Sequence, residues 1–241
     1  MMYERALRRA TLVRRYKRFL ADVIPPEGES LTVHCPNTGS MLGCIDPGID
    51  VWLSRSDNPK RKYAHTLEQV EVDGVRIGIH TGRPNALVEE AIRSGVIESL
   101  SGYEKIEREV VIEPGTRLDL VLSHPGRRRC LVEVKNVSAA VEAGVAFFPD
   151  SVSARARKHL EVLARAAASG QRAVLVYCVQ RDDVVSVRPA DHIDPDYGRT
   201  LRDVMRKDVE VVAYAARLNA EEVTLYRRVP VDIRPTSEGA A

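Results

Sequence analysis

The sequence predicts a two-part protein: a small all-β barrel over residues 1–83, then an α/β domain with a central mixed sheet over 84–234, ending in a disordered tail at 235–241. Three observations carry this. Short alternating segments separated by turn residues fill the chain before Pro84, and helix-length apolar stripes begin only after it. One uninterrupted apolar run, Ala173 to Val179, reads as a strand buried on both faces.

In the first part, strands are predicted over Ser30 to His34, Val51 to Leu53, Thr66 to Val72 and Val75 to His80. Asp73-Gly74 has the composition of a two-residue hairpin turn, and Asn37-Thr38-Gly39 and Asp46-Pro47-Gly48 mark further turns. Strands at this density suit a small barrel of the oligonucleotide-binding (OB) kind. After Pro84, Asn85 is placed to cap a helix through Arg93 whose stripe is Leu87, Val88, Ala91 and Ile92. Lys105 to Ile112 reads as a strand, followed by two more, Arg117 to Leu122 and Cys130 to Asn136. Ser153 to Ala168 is a helix with core positions Leu160, Leu163, Ala164 and Ala167, stopped by Ser169-Gly170. A last helix near Thr200 to Lys207 and a strand from Val209 to Tyr214 complete the sheet.

Composition narrows the class. With 44% hydrophobic residues in 241, the chain can bury one large core or two modest ones, and no run reaches the ~20 apolar residues of a membrane span. The segment Met1 to Leu20 is arginine-rich without an apolar stretch, unlike a secretory leader. Cys35, Cys44, Cys130 and Cys178 form no C-x-x-C pair, which fits free thiols in a reducing cytoplasm better than a zinc site. Nothing in the sequence decides between a monomer and a homodimer.

The chemistry concentrates in Arg117-Leu-Asp119-Leu-Val-Leu122 and Cys130-Leu-Val-Glu133-Val-Lys135-Asn136. Strand side chains alternate, so Glu133 and Lys135 share a face that Val132 and Val134 do not. A hairpin closed by Ser123 to Arg129 and pairing Leu122 with Cys130 sets Asp119 beside Glu133, and Arg117 beside Lys135. Facing carboxylates repel unless a cation lies between them, and a hard divalent ion suits oxygen ligands. The competing reading is a solvated hairpin face with cross-strand ion pairs. Lysine at position 135 speaks against it, because the chain otherwise strongly prefers arginine, 29 to 7. The compact ammonium suits a reacting phosphate better than a bidentate surface pair.

Net charge is only +2, but the basic residues are clustered. Residues 1–20 hold seven, including Arg15 and Arg18, against the single acid Glu4. Lys60-Arg61-Lys62, Arg127-Arg128-Arg129 and the group Arg155, Arg157, Lys158 and His159 follow. Such polarisation suits a polyanion. Tyr16, Phe19, Trp52 and Tyr63 lie near these groups, available either to stack on bases or to fill a barrel core.

The order helix–strand–strand–strand–helix–strand with D…E-x-K on its second and third strands resembles the restriction-endonuclease-like PD-(D/E)xK core. Almost the whole chain is similar to the sugar fermentation stimulation protein A family, through His34-Cys-Pro-Asn37-Thr38-Gly39, Asn58-Pro59-Lys60-Arg61-Lys62, Pro84-Asn85-Ala-Leu-Val-Glu-Glu90-Ala and Arg117-Leu-Asp119. The similarity continues in Glu133-Val-Lys135-Asn136-Val, Phe148-Pro149-Asp150, Arg155-Ala-Arg-Lys158-His159-Leu160 and Val179-Gln180-Arg181. It implies an OB barrel, a nuclease-like domain, largely sequence-nonspecific DNA binding and a link to sugar, including maltose, metabolism. One departure is Ala156, where the family usually has glycine.

Chemistry then assigns roles. Asp119 and Glu133 would ligate Mg²⁺ or Mn²⁺ with a main-chain carbonyl and waters. Lys135 would orient or deprotonate the attacking water and stabilise charge on phosphorus. Glu90 either adds a carboxylate or is a surface glutamate in the helix's first turn. Gln180 either contacts the scissile phosphate or caps the sheet. Arg15, Arg18, Lys60, Arg61, Lys62, Arg155, Lys158 and His159 would contact DNA, His159 having a structural role as its alternative. Three functions are consistent with this: a metal-dependent DNA phosphodiesterase, a non-cleaving DNA-binding regulator of sugar metabolism on a nuclease scaffold, and a protein-interaction module.

Overall fold

The computed structural model describes residues 1–138, 141–142 and 144–235, so the predicted tail lies, Pro235 apart, outside the described residues. The N-terminal part contains β1 (Arg8–Tyr16), β2 (Leu20–Ile24), β3 (Leu31–His34), β4 (Asp50–Arg55), β5 (His65–Val72) and β6 (Val75–Gly78). They run in the order β3-β2-β1-β4-β5-β6, and His34 pairs with Thr66 to close β3 on β5. The result is a five-stranded closed barrel with β6 appended. Ala10, Leu12, Val23, Val33, Val51 and Leu67 are among its buried filling.

Two of these strands were not foreseen from the sequence. The arginine-rich segment forms β1 because Ala10 and Leu12 are buried while Arg8, Arg9 and Arg14 stay in water, and β2 pairs with it and buries Leu20, Ala21 and Val23. Their connection turns through Lys17 and Arg18, both at positive φ, without the Gly or Asn that usually advertises such a turn. Asp73 and Gly74, by contrast, do take positive φ in the predicted hairpin between Val72 and Val75.

After β6 come α1 (Pro84–Arg93), a 3₁₀ turn (Glu98–Leu100), β7 (Lys105–Glu113), β8 (Thr116–Ser123), β9 (Cys130–Val137), β10 (Val141–Glu142) and β11 (Val145–Phe148). They are followed by α2 (Ala154–Ala168), β12 (Arg172–Val179), β13 (Ser186–Pro189), α3 (Pro195–Met205), β14 (Val209–Leu218) and β15 (Val223–Val229). The main sheet has the order β15-β14-β12-β9-β8-β7, parallel across β9, β12 and β14 and antiparallel elsewhere. The long apolar run is β12, covered on one face by α1 through Leu87 and Val88 and on the other by α2 and α3 through Leu160, Leu163 and Leu201. Each such buried side chain contributes about 1.5–3 kcal/mol.

Three helix assignments need correction. Asn85 is not the cap of α1: Arg83 occupies that position and Pro84 is the first helical residue, where its missing N–H costs nothing. Glu90 therefore lies in the second half of the helix, and no acid occupies the first turn. The last helix begins at Pro195 rather than near Thr200, because the Asp194 carboxylate accepts from Tyr197 N at 3.0 Å and caps it. Strand β14 also runs on to Leu218, and β15 was missed. The predicted Ser153 start of α2 does stand, its hydroxyl accepting from Ala156 N at 3.1 Å. Ala156 is 2% exposed inside that helix, packed in the core as an ordinary helical alanine.

Main-chain bonds join the two parts. Gly78 N donates to Gln180 O at 2.8 Å and Tyr3 N to Glu221 O at 2.9 Å, while Gln69 Nε2 reaches Asn219 O at 2.9 Å. Among the described residues all four cysteines are free and buried, and no helix is long and apolar enough to cross a membrane.

Candidate active site

The hairpin of β8 and β9 has the predicted register, Leu122 opposite Cys130 and Leu120 opposite Val132. The bridged rungs stop there. One residue further, Asp119 Oδ2 accepts a hydrogen bond from Val134 N at 2.8 Å, so a side chain takes the place of a strand rung. The other Asp119 oxygen accepts from Asn85 Nδ2 at 2.9 Å. Strand β8 parts from β9 at this point, while β9 stays fully paired on its other side, Glu133 beside Leu175 and Lys135 beside Tyr177 of β12. The split between two strands is what admits the Asp119 side chain to the Val134 N–H.

Glu133 is 2% exposed. Lys135 Nζ donates to its Oε1 at 2.6 Å, and His159 Nδ1 contacts the same oxygen. Both donors converge on Oε1, leaving Oε2 buried with no hydrogen-bond partner. A buried charged acceptor left unmatched costs more than the ~1–3 kcal/mol of a neutral one. The electrostatics are asymmetric. Burial pushes Asp119 up to about 6, and the Glu133 charge adds to this against the pull of Val134 N–H and the Asn85 amide. Burial acts upward on Glu133 too, but the His159 hydrogen bond and the Lys135 charge outweigh it and hold the carboxyl below its ordinary range. The cluster therefore keeps Glu133 charged and retains a proton on Asp119 into the weakly acid range.

The helix below completes it. His159 lies on the apolar stripe of α2 with Ala156, Leu160 and Leu163, so it is buried against Glu133 rather than presented to a ligand backbone. Of the two roles the sequence leaves open for His159, this geometry fits the structural one, holding the Glu133 carboxylate. Beside it opens a groove of about 790 Å³ bordered by Thr116, Arg117, Arg155, Lys158 and one side of His159. Arg155 and Lys158 are exposed and carry no ion pair among the described residues.

The other predicted residues scatter. Glu90 is exposed and paired with the Met1 ammonium at 2.7 Å, so α1 reaches the cluster through Asn85 instead. Gln180 is 1% exposed; its Nε2 donates to Asn136 Oδ1 at 2.6 Å, and its backbone joins both Val137 and Gly78, which is a sheet-capping and joining role. Arg15 Nη2 donates to the carbonyls of Arg18, Asn37 and Gly39 at 2.8–2.9 Å, tying down the Asn37–Gly39 turn. Arg18, Lys60, Arg61 and Lys62 are exposed. Arg76 covers Trp52 at 3.6 Å and Arg14 covers Tyr16 at 5.0 Å, leaving Phe19 the open aromatic at 48% exposure. Asn85 was missed as a site residue, although Pro84 at the first helical position already placed it inside α1 rather than at its cap.

Among the described residues no three His, Cys, Asp or Glu side chains form a metal-holding group. A cation here would be held by Asp119 and Glu133, completed by main-chain oxygen and water, which suits a hard ion that keeps part of its hydration.

Two family models account for most of the chain: the sugar fermentation stimulation protein RE domain matches residues 82–222 and the SfsA N-terminal OB domain residues 13–79. A sugar fermentation stimulation protein homolog of Thioalkalivibrio sulfidiphilus is 56% identical over 97% of this chain and 98% of its own. The Geobacter sulfurreducens homolog is 51% identical over 96% and 98%. Among solved structures, Pyrococcus furiosus SfsA in complex with Ca²⁺ superposes with a TM-score of 0.86 at 24% identity, covering 96% of this chain and 98% of that one, which establishes the shared fold. With both parts matched in order and half of all positions identical to its relatives, this chain belongs to the sugar fermentation stimulation protein family.

Proposed function

We propose that this protein binds DNA with little sequence preference and hydrolyses its phosphodiester bonds at a PD-(D/E)xK site formed by Asp119, Glu133 and Lys135. The observation that carries the reading is the buried, unpartnered Oε2 of Glu133 beside a second half-buried carboxylate. Hydrogen bonds within the protein satisfy every other oxygen of the pair, and a divalent cation matches the one left over. The Ca²⁺ complex of the Pyrococcus relative supports a hard-cation preference. Mg²⁺ or Mn²⁺ held by Asp119 and Glu133 would supply Lewis-acid polarisation of a phosphoryl oxygen and charge neutralisation.

The chain's own residues do the remainder. Asn85 and Val134 N–H fix both oxygens of Asp119, and His159 fixes Glu133, so neither carboxylate needs to reorganise. Lys135 is 13% exposed in its side chain and offers an ammonium donor that orients the attacking water and meets charge developing on phosphorus. Arg155 and Lys158 line the neighbouring groove and attract the backbone.

Labelled single-stranded, duplex and branched DNA incubated with the protein tests this. Cleavage should appear with Mg²⁺ or Mn²⁺ and vanish in EDTA. Salt-sensitive binding without cleavage of any substrate would select the non-cleaving regulator of sugar metabolism, and absence of binding would reject both.

A further inference from the structure

A separate cavity of about 460 Å³ opens at the barrel seam where β3 meets β5, and it is lined by none of the carboxylates, lysine or histidine of the candidate active site. On one side lies the Glu68 carboxylate, 2% exposed, gripped by Arg83 through Nε and Nη2 at 2.6 Å each and by Ser54 Oγ at 2.7 Å. That pairing leaves neither charge free. Arg5 is likewise paired with Asp57 at 2.7 Å. Two further guanidiniums lining the cavity have no acid. Arg61 Nη2 donates only to a hydroxyl, Thr66 Oγ1, at 2.8 Å, and the Arg55 guanidinium makes no hydrogen bond or ion pair among the described residues. The one lining carboxylate without a cation contact is the exposed Glu4.

Two imidazoles complete the lining. Burial, aided by the Arg61 charge at His34 and outweighing the opposing Glu68 charge at His80, holds both below the ordinary histidine range, so they are neutral at pH 7. His80 Nδ1 accepts from Gly82 N at 3.1 Å, which leaves its ring proton on Nε2 as a donor. Arg83 is also the N-cap of α1, and no side chain caps that helix end, so its positive pole adds to the field.

We infer that this cavity binds a phosphate monoester, held by Arg55 and Arg61 with the Thr66 hydroxyl and the His80 ring N–H beside them. A monoester carries about −1.5 to −2 charge at pH 7 and three free oxygens. It matches two acid-free guanidiniums and their neutral donors better than a diester with one charge or a carboxylate with two acceptor atoms. The source is either a nucleic-acid strand end or a small phosphorylated molecule. The site does not depend on cleavage at Asp119 and Glu133.

Calorimetric titration with inorganic phosphate, at ionic strength held constant with sodium chloride, tests the inference on the full chain, Arg55→Gln, Arg61→Gln and the off-site control Arg206→Gln. Both cavity arginines are exposed, so the variants should keep the wild-type melting temperature. Phosphate should bind wild type and control alike and bind each cavity variant at least about tenfold more weakly, the loss of one charge-assisted bond. No binding beyond that of chloride, or undiminished binding in both cavity variants, would overturn it. Glycerol phosphate and oligonucleotides with phosphate or hydroxyl ends separate the sources. Tighter binding of phosphate-ended DNA that disappears in Arg61→Gln identifies a strand end. Displacement of phosphate by glycerol phosphate, with no end effect in DNA, identifies a small molecule. If neither monoester displaces phosphate, the inference fails. Hydroxyl-ended DNA reports DNA binding by itself, whatever the cavity does.

Discussion

Replacing Asp119 with asparagine should stabilise the metal-free protein at neutral and alkaline pH. Burial and the Glu133 charge raise this carboxyl from 3.8 to about 6 in the folded state. A raised acid pKa is a folding cost that is absent below about pH 4, where folded and unfolded states are both protonated, and complete above the folded value. The shift of about two units, at ~1.4 kcal/mol each, sets the cost at up to ~3 kcal/mol. Asparagine removes the charge and can still accept the Val134 N–H, while turning the Asn85 amide over to offer its oxygen gives up the Asn85–Glu109 hydrogen bond and offsets part of the gain. In EDTA at pH 8, Asp119→Asn should therefore melt above wild type by up to about 6–12 °C, at ~2–4 °C per kcal/mol for a chain of this size. The gap should close as pH falls from 6 to 4. Added Mn²⁺ should stabilise wild type alone, by ~2.7 kcal/mol at a hundred times Kd, which closes most of the gap, and by ~4.1 kcal/mol at a thousand times Kd, which reverses the order. Differential scanning calorimetry across pH 4–8 measures all of this. A variant less stable than wild type by the same amount at every pH, or one that responds to Mn²⁺ as wild type does, would refute the account of Asp119.

Four other outcomes follow from particular contacts and charges. Asp194 is 1% exposed and receives Ser153 N at 2.8 Å, Tyr197 N and Arg157. Asp194→Ala should cost about 3–5 kcal/mol in urea unfolding at pH 7. These bonds outweigh burial and hold its pKa below the ordinary range, so the Asp194 contribution should fade as pH falls below about 4 through that lowered value. His159→Ala should cost at least about 1.5–3 kcal/mol, since it removes one of the two groups on Glu133 Oε1. Replacing Lys60, Arg61 and Lys62 together should reduce the salt slope of DNA binding by about two to three units. Arg15→Gln should instead lower the melting temperature, because that guanidinium secures three carbonyls.

The sequence makes the architecture readable wherever one local pattern decides it. Ala173 to Val179 is apolar without interruption and can only be a doubly covered strand; Asp73-Gly74 has the backbone freedom its turn requires. The β8–β9 register is readable because a one-residue slip would turn Leu120 and Val132 to the wrong face. Less readable is the missing rung at Asp119, which depends on Asn85 from a helix 34 residues earlier. Charge counting groups Arg15 and His159 with the other basic residues because it cannot see partners distant in sequence, Gly39 for one and Glu133 for the other. For His159 the helical stripe of Ala156, Leu160 and Leu163 already pointed to the core. Strands β1 and β2 stayed hidden for a different reason: their turn uses Lys17 and Arg18 in a conformation that neither residue favours.

The most direct measurement is single-turnover cleavage of labelled DNA by wild type and Lys135→Ala in Mn²⁺, with metal and DNA affinities measured on the same samples. Lys135 touches Glu133 through an oxygen that His159 also holds, so its loss should leave both affinities nearly intact. Cleavage should slow by about 10²–10³-fold, the effect of removing one preorganised donor to developing charge. Cleavage by Lys135→Ala at the wild-type rate, or no metal-dependent cleavage by wild type on any DNA substrate, would contradict the account.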